Sequence, residues 1–385
     1  MKRILIFSLA YYPRFVGGAE VALKEITDRL GSEYEFDMIT LRKHAPAFER
    51  IGNVTVYRVG MPWRGTRTKS STFFPLSKTL FPFFAFYKAL RLHKTRKYDL
   101  IWSMMAAYAG FAALFFKLCH PRVPYLLTLQ EGDPISHIKR RALPVYPFFK
   151  MIFTRADRIQ AISNYLARFG RSMGFKGPID VVPNGVDLSR FEGVHKRTLS
   201  PQDILLVTTS RLVSKNAVDD VIRALVLLPE QVRFRVYGTG REDKSLAQLA
   251  AQLGVSVRVQ FMGYVSHTDL PKALAAADIF VRPSRSEGMG NSFVEAMAAG
   301  LPVIATQEGG IADFLFDEKR NPDKPPTGFA VDVNSASQIA DAVKEIMMNP
   351  DTVKRVRENA LALVREKYDW NVVAEQMKIV FDRVI

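Results

Sequence analysis

Residues 281–306 read VRPSRSEGMGNSFVEAMAAGLPVIAT. An apolar run ends at Val281, a turn containing Gly288, Met289, Gly290, Asn291 and Ser292 follows, and residues 292–299 have helical character. Gly300 fits the left-handed position after a helix end, and Pro302 prevents continuation. Residues 303–306 are again a short apolar strand. Strand, turn, helix and strand in that order are one unit of a parallel α/β sheet. The N-terminus of such a helix exposes unpaired amides and partial positive charge, which suits phosphate. Glu287 and Glu295, either side of the turn, can accept hydrogen bonds from sugar hydroxyls. The local chemistry suggests a nucleotide-sugar pocket.

The same alternation extends in both directions. In the first half, strands are predicted at 2–8, 36–40, 54–58, 99–103, 125–129, 158–161 and 180–182, with helices such as 19–30 and 108–118 between them. The pattern restarts with strands at 204–209, 233–237, 257–261, 279–281, 303–306 and 328–331. Helices are predicted at 218–227, 245–253, 268–276, 292–299 and 337–347, and 353–385 is strongly helical. Two doubly wound parallel sheets, joined near VVPNGVD, give two facing Rossmann-like domains with a cleft between them.

The chain of 385 residues, 48% hydrophobic, suits two domains of ordinary size. A single cysteine, Cys119, rules out an intrachain disulfide and is expected to be a small buried hydrophobe at a helix end. The start, MKRILIFSLAYYP, lacks a small-residue cleavage pattern and fits a buried first strand. The apolar window 101–116 is too short for a membrane span. A soluble, cytoplasmic protein is expected, peripheral on the inner face of the membrane if it meets lipid. The histidines are scattered without metal-ligand spacing, so no metal is expected.

Charge is distributed unevenly. Residues 1–185 hold 29 Lys and Arg against 12 Asp and Glu; the remainder holds 25 against 26. Between Arg50 and Tyr98 there is no acid, while Arg58, Arg64, Arg67, Lys69, Lys78, Lys88, Arg91, Lys94, Arg96 and Lys97 interleave with Phe73, Phe74, Phe81, Phe83, Phe84, Phe86 and Tyr87. Basic heads beside aromatic bodies suit an anionic membrane surface, a lipid diphosphate or an acidic polysaccharide. A solvated basic face over an aromatic cluster is the plainer reading. Nucleic acid is not expected, because no binding motif accompanies the charge.

With Glu287 and Glu295 spaced as Glu-x7-Glu ahead of EAMAAGLPVIAT, the block resembles the signature of retaining glycosyltransferases of family four, which have the two-domain GT-B architecture. Further segments resemble the same family. SRLVSKN resembles its GRLxxxKG segment; Arg211 and Lys215 can flank a diphosphate and neutralise the leaving group. Asn216 stands where glycine is usual, and Asn tolerates left-handed geometry. YYPRFVGGAE resembles the first glycine-rich loop, so Gly17 and Gly18 are candidate contacts to donor or acceptor. VYGTGRE, with Gly238 and Gly240, looks like the GxG turn. FMGYV lies where the family meets the nucleobase, which nominates Gly263, Tyr264 and Val265. VVPNGVDLSRF matches the interdomain segment, where Asn184 and Asp187 either hold the hinge or touch ligand.

The resemblance implies that Glu287 meets the transferred sugar and Glu295 the ribose. Ser292-x-x-Glu295 is also a capping-box pattern, so Glu295 has a purely local alternative. The resemblance implies domains at 1–185 for the acceptor and 186–365 for the nucleotide sugar, with 366–385 crossing back. One departure stands out. Where the family often has a histidine after the strand at 125–129, this chain has TLQEGDP, and Gln130, Glu131 and Asp133 become candidate acceptor or sugar contacts.

The implied activity is retaining, metal-independent hexosyl transfer without cofactor. The donor is a nucleoside-diphosphate sugar such as a UDP- or GDP-sugar. The acceptor is a glycan or lipid-linked hydroxyl in cell-surface polysaccharide synthesis. The rival readings are a sugar epimerase or phosphorylase on the same scaffold, and a non-catalytic membrane-surface binding protein. A nicotinamide dehydrogenase fits less well, since neither half carries the full glycine fingerprint.

Overall fold

The computed structural model describes residues 1–13, 16–42, 45–60, 73–194 and 203–385, without the side chains of 73–75. The chain divides into two compact units, Met1–Asn184 with Trp370–Ile385, and Gly185–Asp369. Arg64, Arg67 and Lys69 of the basic stretch lie outside the described residues, as do the side chains of Phe73 and Phe74.

The first unit contains strands β1 (Lys2–Phe7), β2 (Tyr34–Leu41), β3 (Phe48–Ile51), β4 (Val54–Val59), β5 (Leu100–Met104), β6 (Tyr125–Leu129), β7 (Arg158–Ala161) and β8 (Ile179–Val181). Among the described residues they form one eight-stranded sheet ordered β3-β4-β2-β1-β5-β6-β7-β8. Most are near-continuous apolar runs because helices cover both faces. β1, β5 and β6 carry Ile4, Leu5, Ile6, Phe7, Trp102 and Tyr125 with no exposed surface. β3 is not foreseen by the sequence reading. It is a charged edge strand, FERI, antiparallel to β4 across Gly52 and Asn53, and Gly52 has φ +55°.

Its helices are α1 (Gly18–Arg29), α2 (Phe73–Arg96), α3 (Ala109–Cys119), α4 (Ile135–Ala142), α5 (Tyr146–Thr154) and α6 (Asn164–Ser172). α2 is formed by the basic, aromatic stretch itself and continues through Pro82. Cys119 does end α3 but is exposed, correcting the expectation of a buried thiol. The reason is position: Cys119 is the last residue of α3, one turn beyond buried Phe116, at an end of the helix where Leu118 is exposed as well.

The second unit contains β9 (Ile204–Thr209), β10 (Val232–Tyr237), β11 (Val259–Gly263), β12 (Ile279–Arg282), β13 (Val303–Ala305) and β14 (Phe329–Ala330). Helices α7 (Val218–Leu225), α8 (Asp243–Gln252), α9 (Leu270–Ala275), α10 (Asn291–Ala298), α11 (Ala336–Met348) and α12 (Pro350–Lys367) accompany them. The last helix, α13 (Trp370–Val384), packs in the first unit, where Trp370, Met377 and Phe381 join Tyr34, Phe36 and Trp102. β11 starts two residues later than the pattern predicts. Residues Ser256–Arg258 form a 3-10 turn instead, leaving Val257 89% exposed.

The second sheet is ordered β11-β10-β9-β12-β13-β14, and its strand pairs are parallel. This is the doubly wound order whose direction of winding reverses between β9 and β12. Ligands of such sheets bind outside the carboxyl ends of the strands at that reversal. The corresponding reversal in the first unit lies between β1 and β5. Among the described residues no helix is long and apolar enough to cross a membrane.

Candidate active site

The carboxyl ends of β9 and β12 carry the charged residues that the sequence singles out. β9 runs into Ser210 and Arg211, then into a 3-10 turn, Ser214–Asn216, bearing Lys215. Arg211 is exposed, and among the described residues its side chain takes no partner. Asn216 is buried, and its amide donates to the Arg211 carbonyl at 2.7 Å. The left-handed residue is Ala217, with φ +55°, not Asn216. Asn216 therefore replaces glycine for a different reason than expected: it ties the loop through its side chain.

β12 ends at Arg282, whose side chain is almost wholly buried. Its guanidinium donates from Nη2 to Glu287 Oε2 at 2.7 Å, from Nη1 to Ser292 Oγ at 2.6 Å, and from Nε to Ser284 Oγ at 3.1 Å. A weaker bond reaches the Thr209 carbonyl at 3.4 Å, and the group lies 4.2 Å from the centroid of the Phe293 ring. The other oxygen of Glu287, Oε1, faces Lys215 Nζ at 3.8 Å. Glu287 and Lys215, distant in sequence, thus meet at the winding reversal.

Arg285 joins the two loops from the outside. Its backbone N–H donates to the Lys215 carbonyl at 2.7 Å, and its side chain to the Ser214 carbonyl at 2.5 Å. The same guanidinium forks onto Asp219 at 2.9 and 3.0 Å and also reaches Asp220 and Asn334. A planar five-donor group can bind all of these at once. From the other side Gly310 donates to the Glu287 carbonyl at 3.0 Å. Gly309 has φ +65°, and a Cβ there would lie 2.0 Å from the same oxygen, so only glycine fits.

α10 begins after Gly290, which has φ +89°; a Cβ there would meet the Phe293 ring and Arg282 Nη2. Gly288 and Met289 are buried, while Asn291 and Ser292 are partly buried in the first turn. The helix starts two residues too early for a Ser292–Glu295 capping box. Ser292 instead accepts from Arg282. Among the described residues the Glu295 carboxylate takes no hydrogen bond, so the capping alternative falls away. Burial pushes its carboxyl up to about 7, against the opposing pull of Arg282 and Arg190.

The glycine turn after β10 packs against the loop after β9. A Cβ on Gly238, at φ +134°, would lie 1.8 Å from the Ser210 carbonyl, and one on Gly240 would lie 2.0 Å from that of Leu212. Gly238 also donates to the Gly263 carbonyl at 2.7 Å. These glycines let the Arg211 loop lie flat on its neighbour. Gly263 has φ +71° with open space around it; Tyr264 is 73% exposed and Val265 is half-buried.

The remaining candidates belong to the first unit. Gly17 and Gly18 are exposed at the start of α1, and the Gly17 N–H is taken by Glu20 Oε2 at 2.9 Å. Gln130 and Glu131 follow β6 and are buried. Gln130 Nε2 donates to Asn184 Oδ1 at 2.9 Å. Glu131 Oε1 accepts the Ala106 N–H at 2.8 Å; Oε2 is buried without a hydrogen bond, and burial raises the group to about 6. Asp133 is exposed. In the second unit, Asp187 accepts from Ser189 and pairs with Arg190 at 2.9 Å. So Glu287, Lys215, Ser292 and the α10 turn are gathered at one place, whereas Gln130, Glu131 and Asp133 lie at the end of another sheet.

Sequence reading misses Arg282, Arg285 and Gly309. Arg282 and Arg285 sit inside the quoted stretch, and the available signal was an arginine closing an otherwise apolar strand.

Comparison with known proteins bears on both halves. The profile of the glycosyl transferases group 1 matches residues 191–362, and that of Glycosyltransferase Family 4 matches residues 16–190. A GDP-mannose-dependent alpha-(1-6)-phosphatidylinositol monomannoside mannosyltransferase of Mycobacterium tuberculosis is 30% identical over 98% of this chain and 97% of its own length. The lipopolysaccharide core biosynthesis glycosyltransferase LpsE of Rhizobium meliloti is 31% identical over 62% of this chain and 66% of its own. Among solved structures, sucrose-phosphate synthase from Thermosynechococcus elongatus superposes with a TM-score of 0.81 at 19% identity, covering 100% of this chain and 99% of its own. Anabaena HepE in complex with UDP-glucose gives 0.76 at 21% identity over the full length of both. The fold is the GT-B type that the sequence motifs imply.

Proposed function

The chain belongs to the glycosyl transferases group 1, and from that premise we propose that it is a retaining, metal-independent hexosyltransferase using a nucleoside-diphosphate sugar. The observation that carries this reading is the meeting of Lys215 and Glu287 at the winding reversal of the second sheet, 3.8 Å apart, beside the first turn of α10. Arg211, Lys215 and the α10 amides would hold the diphosphate. Glu287 would accept hydrogen bonds from hydroxyls of the transferred sugar, and Glu295 from the ribose.

In the reaction, the bond from the anomeric carbon to the diphosphate oxygen breaks and the diphosphate leaves with the electron pair. The cations offset its growing negative charge. The acceptor hydroxyl adds to the anomeric carbon from the face being vacated, which retains configuration. Its proton passes to the departing phosphate oxygen, so no protein base is required. Closure around the donor would limit hydrolysis.

A basic, aromatic surface supports an anionic or lipid-linked acceptor at a cytoplasmic membrane face. α2 exposes Phe83, Phe84 and Tyr87 along a helix that carries Lys88, Arg91 and Lys94. The segment of α4 and α5 has no acid between Asp133 and Asp157, and it exposes Leu143, Val145 and Phe148 next to Lys139, Arg140 and Arg141. α3 packs against both α2 and α5, and Lys78 of α2 lies within electrostatic reach of Arg141. Rings beside cations suit an anionic bilayer. The mannosyltransferase relative acts on a phosphatidylinositol mannoside, as its name states, which supports a lipid-linked acceptor.

The direct test is a thermal-shift panel of UDP-, GDP- and ADP-sugars, followed by transfer to lipid-linked and soluble glycans with assignment of the anomeric product. A stabilising sugar nucleotide and an axial-to-axial or equatorial-to-equatorial outcome are expected. Inversion would overturn the retaining mechanism. Mutarotation or phosphate-dependent turnover would favour an epimerase or phosphorylase, and no nucleotide binding would leave a surface-binding protein.

A further inference from the structure

We propose that Arg282 is a positioning residue serving both glutamates of the Glu-x7-Glu pair: its guanidinium fixes the rotation of Glu287 and, through Ser292, ties the first turn of α10, the helix that carries Glu295, to the end of β12. The inference rests on the donor-binding reading above and adds a residue to it.

Arg282 links four places around the site. It reaches the end of β9 at Thr209, the loop after β12 at Ser284, the carboxylate of Glu287 and the first turn of α10 at Ser292. Because Oε2 of Glu287 is held at 2.7 Å, Oε1 is the oxygen that faces Lys215. A ligand therefore meets a carboxylate whose orientation is already set. Lysine could not reproduce this, having no planar fork.

The relation to Glu295 is different, being charge without a hydrogen bond. The charged groups acting on Glu295 are Arg282 on β12 and Arg190 on the turn Leu188–Phe191, and both favour the ionised form against its burial. Arg282 has one charge for two carboxylates, and Glu287 has the hydrogen bond. Removing that charge leaves Arg190 alone to oppose protonation of Glu295. A protonated Glu295 loses an oxygen for ribose, so donor affinity should recover only at higher pH.

Two substitutions separate the roles. Arg282→Lys keeps the charge and loses the fork: kcat should fall about 100-fold, while the pH midpoint of donor affinity stays in place. Arg282→Gln loses both: the midpoint should also move up by about half a unit or more. Ser292→Ala removes one acceptor of the guanidinium and leaves every charge; it should lower kcat with no change of midpoint, and it serves if Arg282→Gln does not fold. Donor affinity is measured by calorimetry from about pH 5.5 to 9 with the sugar nucleotide found in the thermal-shift panel, and kcat with its transfer assay. If wild type binds and transfers but the variants keep its kcat and midpoint, the role of Arg282 is refuted and the donor-site reading stands. If wild type binds no sugar nucleotide, the donor-site reading itself fails.

Discussion

Arg282 Nη2 and Glu287 Oε2 lie 2.7 Å apart, with the arginine almost fully buried and the glutamate mostly so. Breaking a buried pair by removing one partner typically costs about 3–5 kcal/mol, because a charge is stranded. Glu287→Ala would therefore confound chemistry with stability. Glu287→Gln keeps an acceptor for Arg282 and is the informative change. It should retain the fold and lower transfer about 100-fold or more. Near-normal turnover would remove Glu287 from the reaction centre.

Arg211 is exposed and unpartnered among the described residues, so Arg211→Ala should change stability by less than about 0.5 kcal/mol. Under the proposed function, its effect falls on the diphosphate. The Kd for the nucleoside diphosphate should rise about tenfold or more, as loss of a charged hydrogen bond implies. Calorimetry with UDP and GDP reads this directly; unchanged affinity would place the diphosphate elsewhere.

Gly309→Ala tests how the Glu287 loop is held. The new Cβ would lie 2.0 Å from the Glu287 carbonyl, at a φ of +65°. A loss of about 1–3 kcal/mol is expected from strain alone, together with a drop in transfer as Glu287 shifts. Urea denaturation and a transfer assay measure the two, and a variant normal in both would show that the loop has room to give.

Glu295 titrates near 7, raised by burial from the ordinary 4.5. A carboxyl that binds its proton more tightly when folded contributes stability fully present below the unfolded value. That contribution is lost as pH rises through the interval from 4.5 to about 7. Wild type should therefore lose stability relative to Glu295→Gln across that interval. Denaturation midpoints at about pH 4.5 and pH 8 check the sign; a wild type that gains on the variant as pH rises contradicts it.

The basic, aromatic surface predicts binding to vesicles containing phosphatidylglycerol and not to pure phosphatidylcholine. Each basic residue near the surface contributes about 1 kcal/mol. Replacing Arg140 and Arg141 with glutamate should release the protein, as should raising the salt. Equal sedimentation with neutral vesicles would reject an electrostatic docking surface.

Much of the fold was legible because buried parallel strands leave long apolar runs. ILIF, LIWSM, YLLTL and ILLVTT needed no partner to be recognised. β3 was not legible, since FERI is a short edge strand defined by its pairing with β4, where Glu49 meets Arg58. α2 was hidden by its own composition, as rings and cations spaced for two surfaces leave little single-faced periodicity. In the candidate site, Glu287, Lys215 and the α10 turn were nominated by local motifs and by their resemblance to a known family. Arg282 and Arg285 were not, because their meaning depends on which carbonyls and carboxylates surround them.

The sequence alone determined the two α/β halves, the turn that opens α10 and the identities of the charged residues, because each follows from local periodicity and backbone chemistry. Only tertiary structure decided that β9 and β12 lie side by side, which brings Lys215 to Glu287 across 72 positions of chain. It also decided which oxygen of Glu287 is held and that Glu295 caps nothing. Burial, and the sharing of one arginine charge between two carboxylates, are properties of packed neighbours, and no pattern along the chain encodes them.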